Sequence, residues 1–333
     1  MSRYDSQMIL PEIGETGQAR LKRARLLVIG AGGLGSTLLP MLVGAGVGHI
    51  HIMDDDVIEE DNLHRQTLYS MEDIGRNKAI VAVSRLKNLN PDVSLKAHPV
   101  SAQADTVASV MEELYATSGG EGYLAVLDAA DNFATTYMLS DFCQCMTYPF
   151  ISASAIHWMG YAAIFCAEVP SYRAVFPDIG QNVQDCRTAG VLGPVVGLIG
   201  MLQAQLCLSH ILGVIPSPAG QLYRWDAKTM RMSSFSFRNA QEPDKVWPFL
   251  SLKQLRDDDV VIDVRSVGEE PTISHKNLYP VPLDHLIRLK NVDVPKDKRV
   301  VLCCQSGLRA ARAAVLLYQQ GYKSLALLAV KHQ

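Results

Sequence analysis

Residues 25–35 read RLLVIGAGGLG, and this stretch decides the fold. Arg25–Ile29 is the kind of short apolar run that is buried on both faces of a parallel sheet. Gly30, Gly32, Gly33 and Gly35 let the chain turn tightly, and a helix is expected over Leu34–Val43. Strand, glycine turn and helix, in that order, put backbone amides and a helix N-terminus where a phosphate can sit. Asp54 falls 19 residues after Gly35, at the end of a second strand expected over His49–Met53. A carboxylate there can hold a ribose hydroxyl. Taken alone, the pattern fits an NAD- or FAD-binding dehydrogenase.

Outward from this core the alternation continues. Lys78–Leu89 has helical spacing and stops at Asn90-Pro91, and the apolar run Tyr123–Leu127 leads through Asp128 into a further helix. Strands separated by helices imply crossover connections and a mainly parallel, Rossmann-like sheet. From Phe150 the runs FISAS and YAAIFC read as strands, followed by an apolar helix near Val191–Leu212. The polar stretch RNAQEPDKVWP reads as a linker over 239–248, so the first unit spans 1–238. A second, smaller α/β unit over 249–333 carries strands at Val260–Val264 and Arg299–Cys303 and a helix at Leu308–Gln319.

Composition bounds the function. The 333 residues are 48% hydrophobic and 20% charged, enough for two real cores and unlike a disordered chain. With 31 basic against 34 acidic residues the net charge is −3, which gives no footprint of a nucleic-acid or membrane-surface binder. The apolar stretch Val191–Leu202 is too short to span a bilayer, and MSRYDSQ lacks the features of a signal peptide. Seven cysteines, two of them adjacent at Cys303 and Cys304, suit a reducing, cytoplasmic setting.

The polar residues after Asp54 depart from a dehydrogenase. Asp54-Asp55-Asp56 leads to Asn62, Arg65 and Gln66, then to Lys78, and later to Asp128, Asp131 and Asn132. Arg65 and Lys78 can neutralise a triphosphate, and Asp131 at a strand end can hold Mg²⁺ beside phosphates. Each also has an ordinary reading, as a solvated charge or, for Asp131, a helix cap. As one ordered set the ordinary readings lose force.

The segments RYDSQMILPEIGETGQARL, GAGGLGS, NLHRQ, DAADNF and CRTAGVLGPVVGLIG stand in the order of the MoeB/ThiF family, bacterial relatives of ubiquitin-activating enzymes, which residues 3–237 resemble. The resemblance implies ATP-dependent adenylation of the C-terminal Gly-Gly carboxylate of a small ubiquitin-like sulfur carrier protein. By that resemblance Asp54 binds the ribose, Asn62, Arg65, Gln66 and Lys78 engage phosphates, and Asp131 binds Mg²⁺ and is the most essential residue. Arg3 matches an arginine that reaches the triphosphate of a partner subunit, which implies a homodimer. Attack by a carboxylate on an anionic phosphate needs charge neutralisation and alignment above all.

The family commonly carries a zinc bound by two CxxC pairs. The first would fall at Ser171-Tyr172-Arg173-Ala174 and the second after Phe237, and no cysteine stands at either place. No zinc is expected, and apolar packing is expected to take over its structural role. Cys143 and Cys145 read as core residues, as do Cys166 and Cys207. Ser6 and Thr136 stand where the family often has arginine, and Leu206 where it often has glutamate.

Two cysteines are candidates for chemistry. Cys186, followed by Arg187, matches a family cysteine that takes up the activated acyl group or joins a disulfide with it. Cys304-Gln305-Ser306-Gly307-Leu308-Arg309 follows a strand and opens an alanine-rich helix, so its backbone amides can wrap the sulfur, lower the thiol pKa and stabilise a persulfide. The loop is similar to that of rhodanese-like sulfurtransferases, as is Asp263-Val264-Arg265, while their usual Gly-His-Ile-x-Gly-Ala segment is not visible around Thr272–Pro282. The two resemblances together imply adenylation followed by sulfur transfer from a Cys304 persulfide, fed by an upstream donor such as a cysteine desulfurase. The alternative is an adenylyltransferase that activates a peptide or metabolite carboxylate, with the rhodanese-like unit as a docking module.

Overall fold

A computed structural model describes residues 3–117, 122–177, 190–289 and 292–330. Two short helices, α1 (Asp5–Met8) and α2 (Gly14–Arg23), open the first unit. Its elements run β1 (Arg25–Ile29), α3 (Gly33–Gly44), β2 (His49–Met53), α4 (Lys78–Leu89), β3 (Ser94–His98), α5 (Ala104–Ala116), β4 (Leu124–Asp128), α6 (Phe133–Met146) and β5 (Phe150–Ile156). They continue with β6 (Met159–Phe165), α7 (Tyr172–Val175), α8 (Gly193–Leu212), β7 (Gln221–Asp226) and β8 (Arg231–Ser236). The eight strands form one sheet in the order β3-β2-β1-β4-β5-β6-β7-β8. Strands β3 to β5 pair in parallel, and β5 to β8 form an antiparallel meander.

Both faces of the central strands are covered, so β1 and β4 are buried at every residue and read as unbroken apolar runs. The strand order reverses between β2 and β4, with β1 between them, and a crevice opens there at the strand C-termini. Helix α8 packs against α3, β5 and β6. Its 20 residues run past the apolar stretch expected to be too short, and by length and composition it could cross a membrane. Half of its most apolar window is nevertheless buried inside this fold.

The second unit comprises β9 (Phe249–Leu250), β10 (Val260–Asp263), β11 (Leu278–Pro280), α9 (Leu283–Arg288), β12 (Val300–Cys304), α10 (Leu308–Gln319) and β13 (Leu325–Ala329). Its sheet, ordered β11-β10-β12-β13-β9, is parallel throughout. Alternation along β10 and β12 splits its side chains. Val260, Ile262, Leu302 and Cys304 join the apolar core continuous with the first unit, while Val261, Val301 and Cys303 build a smaller cluster on the other face.

Residues 239–248 contain no regular element, yet they are packed as a seam. Trp247 lies beside Tyr318 at 6.1 Å between ring centres, and Lys245 Nζ sits 4.1 Å above the Tyr318 ring. Ser171 donates from its backbone N and its Oγ to the Glu242 carboxylate, at 2.6 and 2.5 Å. Arg173 pairs with both Asp141 oxygens at 2.5 and 2.7 Å and donates from Nη2 to the Trp247 carbonyl at 3.3 Å. The segments at 171–174 and after Phe237 are therefore joined by charged hydrogen bonds, where apolar packing was expected.

Candidate active site

The crevice at the ends of β1, β2 and β4 is a cleft of about 870 Å³. Gly30, Gly32, Gly33, Asp54, Asp56, Asn62, Arg65, Gln66, Lys78, Asp131 and Asn132 all line it. Segments far apart in sequence converge there because each follows a parallel strand and leaves the sheet at the same edge.

The glycine turn is sterically enforced. Gly30 adopts φ +95°, and a Cβ there would lie 2.6 Å from the Ala129 carbonyl oxygen. Gly35 does not line the cleft. It packs over the turn, where a Cβ would come within 2.5 Å of the Gly30 oxygen. Its place in the motif is to let α3 start close to β1.

Asp54 accepts the Ala31 amide at 2.7 Å through Oδ2 and the Asp56 amide at 2.9 Å through Oδ1. Burial raises its carboxyl pKa, opposed by Lys78 and by these two amides. Asn77 caps α4 by accepting the Ile80 amide at 3.1 Å, and its Nδ2 donates to the Asp54 and Asp56 carbonyls at 3.0 and 3.2 Å. Lys78, only 6% exposed, reaches Asp56 Oδ2 at 3.2 Å. Tyr69 holds the glycine turn from behind, with its hydroxyl 2.6 Å from the Ala31 carbonyl oxygen and 3.2 Å from that of Lys78.

On the opposite wall Arg65 donates to the Asp61 carbonyl at 3.2 Å and lies 2.7 Å from His64 Nε2. Asn62 and Gln66 are nearly buried, and among the described residues their amide oxygens have no hydrogen-bond partner. Such orphaned groups are costly unless something in the cleft satisfies them, and ligand hydroxyls or amines are suitable partners.

The segment after β4 divides its acids. Asp128 is fully buried and does not line the cleft, contrary to its reading as a nucleotide ligand. It accepts Thr136 Oγ1 at 2.7 Å, Ser152 Oγ at 3.0 Å and the Ala130 amide at 3.2 Å, while Gln203 Nε2 donates to its carbonyl at 2.8 Å. Burial pushes its carboxyl up to about 6. It anchors the loop that carries Asp131. Asn132 is the cap of α6, accepting the Ala134 and Thr135 amides, so Asp131 is free of that task. Among the described residues nothing pairs with the exposed Asp131 carboxylate. The acidic trio Asp54–Asp56 is the poorer metal site, because both Asp54 oxygens are taken by amides and Asp56 is paired with Lys78.

Arg3 is not in the cleft of its own chain. It donates to the Leu89 carbonyl at the end of α4. Cys186 and Arg187 lie outside the described residues.

Cys304 ends β12, with Sγ accepting the Gly307 amide at 3.1 Å and the Ala310 amide at 3.3 Å at the start of α10. The expected nest is therefore present, but the pKa shift is the reverse of the expectation. Cys304 is fully buried, and burial raises the thiol pKa more than the amides and Arg309 lower it. Gly307, at φ +86°, presses on Phe249 and Ala134, so close that a Cβ would stand 2.6 Å from the Phe249 ring. Ser306 is exposed, while Gln305 and Leu308 are half-buried. Arg309 forms two 2.6 Å bonds to Glu269, holding that carboxyl down to about 2. Cys143, Cys166 and Cys207 are core residues as expected, whereas Cys145 is exposed, because it points from α6 towards solvent.

Tyr69 and Asn77 were not singled out from sequence. Asn77 carried a usable signal, a capping residue directly before a helical run. Tyr69 carried none, because it acts on backbone carbonyls from an irregular segment.

The ThiF family pattern matches residues 4–246. A sulfur carrier protein adenylyltransferase of Thermus thermophilus is 38% identical over 235 residues, 68% of this chain and 83% of that protein. The sulfur carrier protein ThiS adenylyltransferase of Escherichia coli is 38% identical over 240 residues, 72% of this chain and 92% of that one. A probable adenylyltransferase/sulfurtransferase, MoeZ of Mycobacterium tuberculosis, is 28% identical over 360 residues, covering 97% of this chain and 89% of that one. Among solved structures, E. coli MccB with MccA-N7isoASN superposes with a TM-score of 0.61 at 21% identity, over 73% of this chain and 74% of that one, a likeness of fold. On the family match and these identities, the chain belongs to the ThiF family.

Proposed function

We propose that this chain adenylates the C-terminal carboxylate of a small ubiquitin-like sulfur carrier protein and that its second unit supplies sulfur to the product. One observation carries the reading. The cleft gathers Asp54, Arg65, Lys78 and an Asp131 that is unpaired among the described residues around a glycine turn, which suits a nucleoside triphosphate better than a dinucleotide. The named activities of the relatives support the same reaction.

In the first step a carboxylate oxygen of the carrier attacks the α-phosphorus of ATP, and the bond to pyrophosphate breaks. Arg65 and Lys78 offset charge on the phosphates, and the glycine turn and the start of α3 orient them. The hard, unpaired oxygens of Asp131 fit Mg²⁺. Bound there with the phosphates, the ion would neutralise charge on the leaving group. In the second step the outer sulfur of a Cys304 persulfide attacks the acyl carbon and AMP leaves. A thiolate, assigned to Cys186, then attacks Cys304 Sγ, which releases the thiocarboxylate and leaves a Cys186–Cys304 disulfide for an external thiol to reduce. An upstream donor such as a cysteine desulfurase reloads Cys304. Arg3 serves the partner cleft of a homodimer, and the exposed Ile9 and Leu10 on the same arm support a surface that pairs.

ATP–pyrophosphate exchange with carriers ending in Gly-Gly tests the first step. Exchange that depends on the carrier and falls at least 100-fold in Asp131→Ala is expected. Exchange unaffected by that substitution would remove Asp131 from the site. A second reading, in which the second unit only docks a partner and the substrate is a peptide or metabolite, is favoured by the complete burial of Cys304. Product mass separates the two: a thiocarboxylate replaces one oxygen with sulfur, whereas a phosphoramidate retains the nucleotide.

A further inference from the structure

Beneath α5, on side chains given no role above, two histidines and a carboxylate converge. His51 on β2 and His98 on the edge strand β3 face the same side, because His51 is in register with Lys96 and side chains alternate along each strand. Their rings stand 4.9 Å apart between centres, with His98 Nε2 3.0 Å from His51 Nδ1. Glu113 of α5 completes the group, and one ligand atom from each of the three lies within 4.8 Å of the others. We propose that His51, His98 and Glu113 bind a first-row divalent cation, with Zn²⁺ the natural occupant, and that the ion pins α5 to the edge of the sheet.

The donor set chooses the class of ion. Two imidazole nitrogens and one carboxylate suit zinc and its neighbours, whereas Mg²⁺ and Ca²⁺ take oxygen ligands. Nitrogens bound to a tetrahedral zinc at ~2.05 Å stand about 3.3 Å apart, so the pair needs to open by a few tenths of an ångström. Both rings are shielded from solvent, so water competes little for their nitrogens. Glu113 is already poised by Lys96, whose Nζ lies 2.5 Å from Oε1. That lysine competes with the ion for the carboxylate, which makes it an internal control.

The site is unrelated to the family's cysteine zinc and adjoins the nucleotide cleft. The Asp54 amide donates to the His98 carbonyl at 3.1 Å, so an ion fixing His98 also steadies the strand that presents Asp54.

The test uses the full-length, tag-free chain stripped with chelator. Zn²⁺ is titrated in competition with a chromophoric chelator, and Co²⁺ is followed by its visible absorption. One equivalent is expected, with Co²⁺ bands of four-coordinate intensity and a rise in melting temperature on adding Zn²⁺. His98→Gln and the partly exposed Glu113→Gln should each weaken binding at least tenfold, and Lys96→Gln should strengthen it several-fold. The proposal is overturned if no equivalent binds at micromolar Zn²⁺, or if affinity is unchanged in both His98→Gln and Glu113→Gln. A thiolate-to-cobalt charge-transfer band would also overturn it, by placing the ion on cysteine.

Discussion

Arg173→Ala tests the charged seam that joins residues 171–174 to the segment after Phe237. In the wild-type fold the guanidinium makes two charge-assisted bonds to Asp141 and one to the Trp247 carbonyl, and lies 4.9 Å above the Tyr137 ring. Its side chain is 4% exposed and that of Asp141 26%. Breaking one half of a buried pair costs roughly 3–5 kcal/mol, and the lost ring contact adds ~0.5–1. The partial exposure of Asp141 moves the expected loss towards the lower end, about 3–4 kcal/mol. Much of this comes from leaving Asp141 ionised and unpaired, which gives the loss a pH signature. Burial already raises the Asp141 pKa, with Arg173 as the chief opposing influence, so the substitution raises it further. A carboxyl whose folded pKa exceeds its unfolded value binds its proton more tightly in the fold. That stability is complete below the unfolded value near 3.8 and is lost as pH rises through the folded one. The deficit of Arg173→Ala, read by urea unfolding, should therefore shrink between pH 7.5 and pH 5, and Asp141→Asn in the same chain should recover part of it. A loss below 1 kcal/mol, or one equal at the two pH values, would refute the reasoning.

Asp128→Asn should stabilise the fold by roughly 1–3 kcal/mol at pH 8 and not at pH 4, because a carboxyl pushed up to about 6 is held ionised at a cost above that pH. Unfolding midpoints at the two values check this, and an equal effect at both would sink it. Cys304 should react with iodoacetamide at least tenfold more slowly than the exposed Cys145, and Phe249→Ala should narrow the gap. Peptide mass spectrometry after timed alkylation reads both rates, and parity in the wild-type chain would contradict the buried thiol.

What the sequence made legible was whatever local pattern governs. Strands β1 and β2 and helices α4 and α10 fall on the expected residues, because two-sided burial and clear helix starts mark them. Strand β8 carried no such mark. Its residues are all exposed, so nothing imposes an apolar period on them. The cleft residues were legible because each motif lies at the end of a parallel strand, where the fold must gather them. The split between Asp128 and Asp131 was not, because it depends on which carboxylate the pleat turns inward and on Asn132 taking the cap. The seam at Ser171–Glu242 and Arg173–Asp141 was hidden for a related reason. Partners 71 and 32 residues apart leave no spacing signal.

Cys304 shows how a correct local motif can mislead about chemistry. Two amides do reach its sulfur, as the loop sequence implies, yet the thiol pKa rises because the sulfur is buried. The covering group matters: Ala134, against which Gly307 rests, lies in the first turn of α6, the helix capped by Asn132 beside Asp131. The element that presents Asp131 to the cleft thus also adjoins the Cys304 loop. In the proposed reaction the acyl adenylate forms at one side of this turn, and the sulfur that attacks it is buried behind the other. Sulfur transfer then requires Gly307 to part from Ala134 and Phe249, and adenylation does not. Loosening that contact should therefore change thiocarboxylate formation while leaving pyrophosphate exchange as it was.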